Sequence, residues 1–137
     1  MGRVIIVETR SGTEFIDITD RVEEAVREAR VQEGLAYVFT RHTTAAVFVN
    51  ENEDGLLEDY KGLMERLVPR GAGYNHDRID DNAHSHLRAV LLGPGKLVPV
   101  SGSRLQLGRW QRVFFAEFDG PRRRECVVQV VPLREIE

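Results

Sequence analysis

A chain of 137 residues is the size of one domain, taken here as 1–137. Its 42% hydrophobic content supplies one ordinary core and excludes a disordered chain. The net charge of −3 gives no global field toward nucleic acid or an acidic membrane surface, so neither is expected as a partner.

The first residues, Met1 to Glu8, read as a strand rather than a signal peptide, and no apolar run reaches the ~20 residues of a membrane span. The expected location is the cytoplasm. Strands over 3–9 and 14–18 are expected to form a hairpin through Ser11-Gly12. A helix should begin near Asp20, capped by it with Glu23 as a capping box, and should end at Gly34 in a left-handed cap. Val22, Ala25, Val26 and Ala29 give its apolar stripe. Strands follow over 35–40 and 45–49. A second helix over 53–68 carries Leu56, Leu57, Tyr60, Leu63, Met64 and Leu67 as a core face and stops at Pro69. The segment 70–82 is a long polar loop of the kind that is often functional. A third helix over 83–92 would be capped by Asn82 or Asp81 and closed by Gly93-Pro94-Gly95. Strands over 96–100, 104–107, 110–118 and 124–131 complete the chain. Arg122, Arg123 and Arg124 read as a solvated basic run, with anion binding as the alternative. The lone cysteine, Cys126, cannot close an internal disulfide; it sits in a strand-like run and reads as a small packed hydrophobe. Mixed strands and segregated helices give the α+β class.

The histidines carry the functional reading. His76, His84 and His86 fall within one polar stretch, and His42 opens His42-Thr43-Thr44-Ala45-Ala46 ahead of the acidic turn Asn50-Glu51-Asn52-Glu53-Asp54. Imidazoles beside carboxylates suit a divalent metal or a proton-transfer site. In a regular helix His84 and His86 point about 160° apart, so spacing favours either one with His76 over both together. The start of that helix leaves free N–H groups that suit a phosphate or carboxylate. The His42-Thr43-Thr44 hydroxyls would hold an anion or finish a turn. Glu53 stabilises the helix dipole; Asp80 and Asp81 are either caps or acid/base groups. Trp110 is either a core tryptophan or, with Gln111 after Gly108, part of a pocket.

Together, His42-Thr43-Thr44-Ala45-Ala46 with Asn50-Glu51-Asn52, then Asp80-Asp81-Asn82-Ala83-His84-Ser85-His86-Leu87, then Leu107-Gly108-Arg109-Trp110-Gln111 followed by Phe118, resemble the secondary thiamine-phosphate synthase family, the YjbQ-like proteins. The resemblance spans nearly the whole chain. It implies a twisted β-sandwich-like core with two to three helices, and a homotrimer with a site between subunits. It also implies weak joining of a hydroxymethylpyrimidine diphosphate to a thiazole phosphate with loss of pyrophosphate. His42, His76 and His86 stand at motif positions; His84 stands where some relatives differ. The family's second motif often reads Gly-Asp-Gly-Asn, and Asp80-Asp81-Asn82 replaces it here. A Gly-rich diphosphate-binding loop with a lysine is missing from the sequence.

The expected function is therefore a metal-dependent enzyme for a phosphorylated small molecule. A divalent metal, zinc or magnesium, would be bound by two or three of His76, His84 and His86. His42, Glu51, Asp54 and Asp81 are the candidate catalytic groups, and Thr43, Asn50, Asn82, Trp110 and Gln111 the candidate substrate contacts. The alternatives are a non-catalytic, metal- or ligand-binding trimeric accessory protein and a metal-assisted hydrolase.

Overall fold

The computed structural model describes residues 2–134. Its strands are β1 Gly2–Glu8, β2 Glu14–Asp17, β3 Glu33–Phe39, β4 Ala45–Glu51, β5 Gly95–Ser101, β6 Arg104–Leu105, β7 Gln111–Glu117 and β8 Arg123–Pro132. Its helices are α1 Thr19–Ala29, α2 Asp54–Leu67 and α3 Ala83–Leu92, with a 3-10 turn at Asn75–Arg78. A five-stranded sheet runs β1-β8-β3-β5-β6 and a three-stranded sheet runs β2-β7-β4. Every pairing is antiparallel. This is the expected α+β class with a sandwich-like core.

Period-two alternation sorts the central strands into two apolar layers. Ala45 and Val47 of β4 and Val113 and Phe115 of β7 join Val38, Val98, Cys126 and Val128 of the larger sheet, with Val22 and Val26 of α1 packed in beside them. The other face of the small sheet, with Ala46 and Ala116, meets Met64 of α2 and Ala89 of α3, together with Phe118. On that face Phe48 stacks on Phe114 at 4.9 Å between centroids. Cys126 is fully buried, and burial pushes its thiol up to about 12, so it behaves as the packed hydrophobe its setting suggested.

Several local expectations are corrected. The β1–β2 hairpin does not form, because β1 pairs with β8 from Gly2↔Gln129 to Glu8↔Arg123 while β2 pairs with β7 in the other sheet. Residues 9–13 carry the chain between sheets. Helix α1 starts at Thr19, whose N–H donates to Asp17, so Asp20 is not the cap; Glu23 accepts from Leu105 N–H instead of closing a capping box. Arg30, at φ 55°, ends α1 in the left-handed region, and Gly34 lies inside β3. A Cβ on Gly34 would lie 2.1 Å from the Val131 carbonyl oxygen, so its small size serves close strand pairing. The α2 apolar face is only partly core: Met64 is buried, but Leu63 and Leu67 are exposed. β6 is two residues long, and β7 begins at Gln111 with Trp110 exposed, not in the core. Arg124 is buried, so the basic run is solvated only in part.

Candidate functional site

Helix α3 packs against β4 and separates two faces of the molecule. His84 and His86 point to opposite sides of it, as their spacing requires. His86 lines two neighbouring cavities, one shared with His76 and one shared with His42. His84 lines a third cavity with Arg70, Asp81 and Arg88. The structure thus brings His76 and His86 together, their rings edge to face at 4.9 Å, and places His84 elsewhere.

His76 is oriented by a hydrogen-bonded chain. Asn82 donates from Nδ2 to the Asp119 carboxylate at 2.9 Å, which turns its Oδ1 toward His76 Nε2 at 3.1 Å. Oδ1 only accepts, so His76 carries its proton on Nε2 and presents Nδ1 as a free lone pair. Asn82 occupies the cap position of α3 without capping it; the Asp77 carboxylate accepts from Ala83 N–H in its place. The sequence expectation of an Asn82 or Asp81 cap is corrected accordingly, and Asn82 is released to hold His76.

His42 faces His86 across a cavity of about 410 Å³. Its Nε2 accepts from Glu125 N–H at 3.0 Å, which places the proton on Nδ1. Burial holds this imidazole below its ordinary range, helped by Arg124 and opposed by Glu125 and Glu117. His42 is therefore a neutral donor. Thr43 is exposed on the rim of the same cavity, and Thr44 is buried and accepts from Arg124 at 2.7 Å.

The other candidates lie apart. Asp81 is exposed and pairs with Arg70 at 3.2 Å, on the His84 side of α3. Asn50 and Glu51 end β4, and Glu51 stands opposite Gln111 at the start of β7. Gln111 accepts from Gly108 N–H, and Arg109 covers the exposed Trp110 ring at 4.8 Å. Asp54 opens α2, while Glu53 caps it through Gly55 and Leu56 N–H, as its dipole position suggested. Five residues of β4, 45–49, separate this group from His42, about 17 Å of strand.

Four residues that shape these cavities and the core around them, Asp119, Arg88, Glu117 and Arg124, had no clear signal in the sequence. Asp119 sits in a turn and looks like turn chemistry. Arg88 hides in the apolar rhythm of α3. Glu117 and Arg124 lie seven apart at opposite ends of a strand turn, yet both are buried and paired. The only available hint was charge at positions where the alternation called for apolar residues.

A family model described as UPF0047 protein YjbQ-like matches residues 3–133. The chain belongs to this family. A UPF0047 protein of Archaeoglobus fulgidus is 50% identical over 127 residues, covering 93% of this chain and 98% of the relative. The UPF0047 protein YugU of Bacillus subtilis is 34% identical, covering 96% and 99%. A solved YbjQ-like protein of unknown function from Sulfolobus solfataricus superposes with a TM-score of 0.95 at 37% identity, over 97% of both chains. A hypothetical protein from Aeropyrum pernix gives 0.94 at 38%, over 97% and 99%. The UPF0047 assignment agrees with the YjbQ-like part of the resemblance drawn from the three motifs. Among the described residues no helix is long and apolar enough to cross a membrane.

Proposed function

We propose that this UPF0047 protein is an enzyme for a phosphorylated small molecule, working at His76, His86 and His42. The observation that carries the reading is the Asp119–Asn82–His76 chain. A carboxylate-anchored chain that fixes one imidazole nitrogen and frees the other is the arrangement used to present a metal ligand or a base. His86 stands beside the freed nitrogen's ring, and His42 offers Nδ1–H from the adjoining cavity.

The donor set fits a divalent ion at His76 and His86, and imidazole favours zinc over magnesium. Among the described residues no third metal-binding side chain joins them, so a further donor would come from a second copy or from the substrate. When bound, the ion would neutralise phosphoryl oxygens of the departing group. The chain's own residues divide the remaining work. Asn82 holds His76 in register, and His42 donates to a substrate oxygen. His84 and Asp81 stay outside this site. The reaction that the family resemblance implies joins a hydroxymethylpyrimidine diphosphate to a thiazole phosphate and releases pyrophosphate.

A homotrimer is part of the proposal. Val90 (77% exposed), Leu91, Leu87, Leu67 and Leu63 leave an apolar surface on α2 and α3 that a second copy would cover. A head-to-tail contact would also bring Glu51, Asp54, Trp110 and Gln111 of one copy toward the histidines of the next.

The test is metal content, with and without added zinc, in the wild type and in His76→Ala and His86→Ala, followed by pyrophosphate release from the two substrates. Stoichiometric metal lost in both folded variants, with turnover in the wild type alone, supports the reading. A wild type that takes up no metal and turns over neither substrate refutes it.

A further inference from the structure

We propose that the cavity on the opposite face of α3 binds a small hydroxylated molecule through its phosphate or carboxylate group, with Arg88 and Arg70 as the cationic walls. The cavity holds about 550 Å³, a volume suited to a small metabolite, and is bounded by Gly12 and Thr13, by Pro69 and Arg70, by α3, and by Phe118, with the carboxylates of Glu65, Asp81 and Asp119 also on its wall.

Arg88 carries the inference. It is 4% exposed, and its guanidinium lies over the Phe118 ring, 5.9 Å from the centroid. Its Nε donates to the Val68 carbonyl at 3.0 Å and one terminal nitrogen reaches the Thr13 hydroxyl at 3.4 Å. Among the described residues no carboxylate lies within ion-pair distance of it. Arg124 is buried to the same extent, and there the fold supplies Glu117. A buried cation is normally neutralised by an acid or by what it binds. The neighbouring acids are committed elsewhere or solvated: Asp81 pairs with Arg70, Asp119 with Arg122, and Glu65 is exposed. Arg70 stands at the mouth with its side chain 68% exposed, free to turn from Asp81 to an entering anion.

His84 supplies the second half of the specificity. Ser85 donates its hydroxyl proton to the Phe118 carbonyl at 2.5 Å, so the long 3.4 Å contact with His84 Nε2 uses the imidazole proton. That leaves Nδ1 an acceptor, and it is the one buried side-chain polar atom without a partner among the described residues. A ligand hydroxyl would satisfy it. The inference uses none of His42, His76 or His86; the cavity shares with the proposed site only Asp119, which lines it and holds Asn82.

The test follows arginine side-chain N–H signals of the full chain during titration with glycerol 3-phosphate and, separately, glycerate. Saturable shifts at Arg88 with either compound support the site, and the stronger of the two names the acidic group. Arg70→Ala, an exposed change, should weaken that binding about tenfold; His86→Ala should leave it unchanged. Arg88→Gln should abolish it. No saturable shift with either compound, or binding that persists in Arg70→Ala at wild-type strength, overturns the proposal.

Discussion

Glu117 and Arg124 form a buried ion pair that ties the two sheets together. Arg124 Nε on β8 donates to Glu117 on β7 at 2.8 Å, and its NH2 reaches the other carboxylate oxygen. Thr9 and Asp119 N–H fill the remaining acceptor positions on Glu117, and Thr44 accepts from Arg124. Each charge is thus met by several partners, and each would be stranded without the other. Arg124→Met or Glu117→Leu alone should cost about 3–5 kcal/mol in urea unfolding. The double variant should recover much of that loss; a strictly additive double loss would show that the two do not act as a pair.

Asn82 tests the orientation of His76. Asn82→Ala removes the acceptor that holds Nε2 and releases Asp119. Zinc affinity should fall about 10- to 100-fold with the fold retained, as measured by competition with a chelating dye. Wild-type affinity in this variant would mean that the chain does not position the ligand.

The core was legible because its signals are local. Alternation in β4 and β7 and the stripe of Val22, Ala25 and Val26 in α1 each require burial on one face, whatever lies opposite. What covers that face is not local. Residues 3–9 and 14–18 alternate equally well as a hairpin or as members of two sheets, and only the match of β1 with β8 decides. The same limit applies at the site. The separation of His84 from His86 followed from helical geometry, whereas Asn82 reads as a cap until Asp77 is seen to take that role. Arg88 and Arg124 are buried to the same extent, and whether an acid meets each one is visible only in the fold.

Gly34 should tolerate no side chain. In Gly34→Ala the new methyl would meet the Val131 carbonyl at 2.1 Å and the Val31 side chain at 2.9 Å. Backbone on one side leaves β3 and β8 to separate locally, at a cost of about 1–3 kcal/mol or more in chemical denaturation. An unchanged unfolding midpoint would disprove this account of the glycine.

Acid should weaken the fold early. Burial lowers the His84 pKa, with Arg88 and Arg70 acting in the same direction, and burial lowers His42. Below the unfolded value of 6.5 the unfolded chain takes up protons that the folded chain refuses, so stability falls as pH drops toward the folded values and is fully present above 6.5. Unfolding midpoints should decline between about pH 7 and pH 5, and the decline should be shallower in His84→Gln. Stability that rises over that interval would contradict the sign.

Assembly is the last test. Val90 and Leu91 are exposed on α3 beside the cavity shared by His42 and His86, and Trp110 is 62% exposed at the far end of the small sheet. If copies join head to tail, both ends are covered at once. Val90→Glu would then place a charge inside the contact and should convert the proposed trimer to monomers in analytical ultracentrifugation. The Trp110 emission should shift to the red in the same variant, because the ring returns to water. The two readouts distinguish the geometries. A trimer lost with no change in emission would place Trp110 outside the interface, and Glu51 and Gln111 would then be removed from the shared site with it.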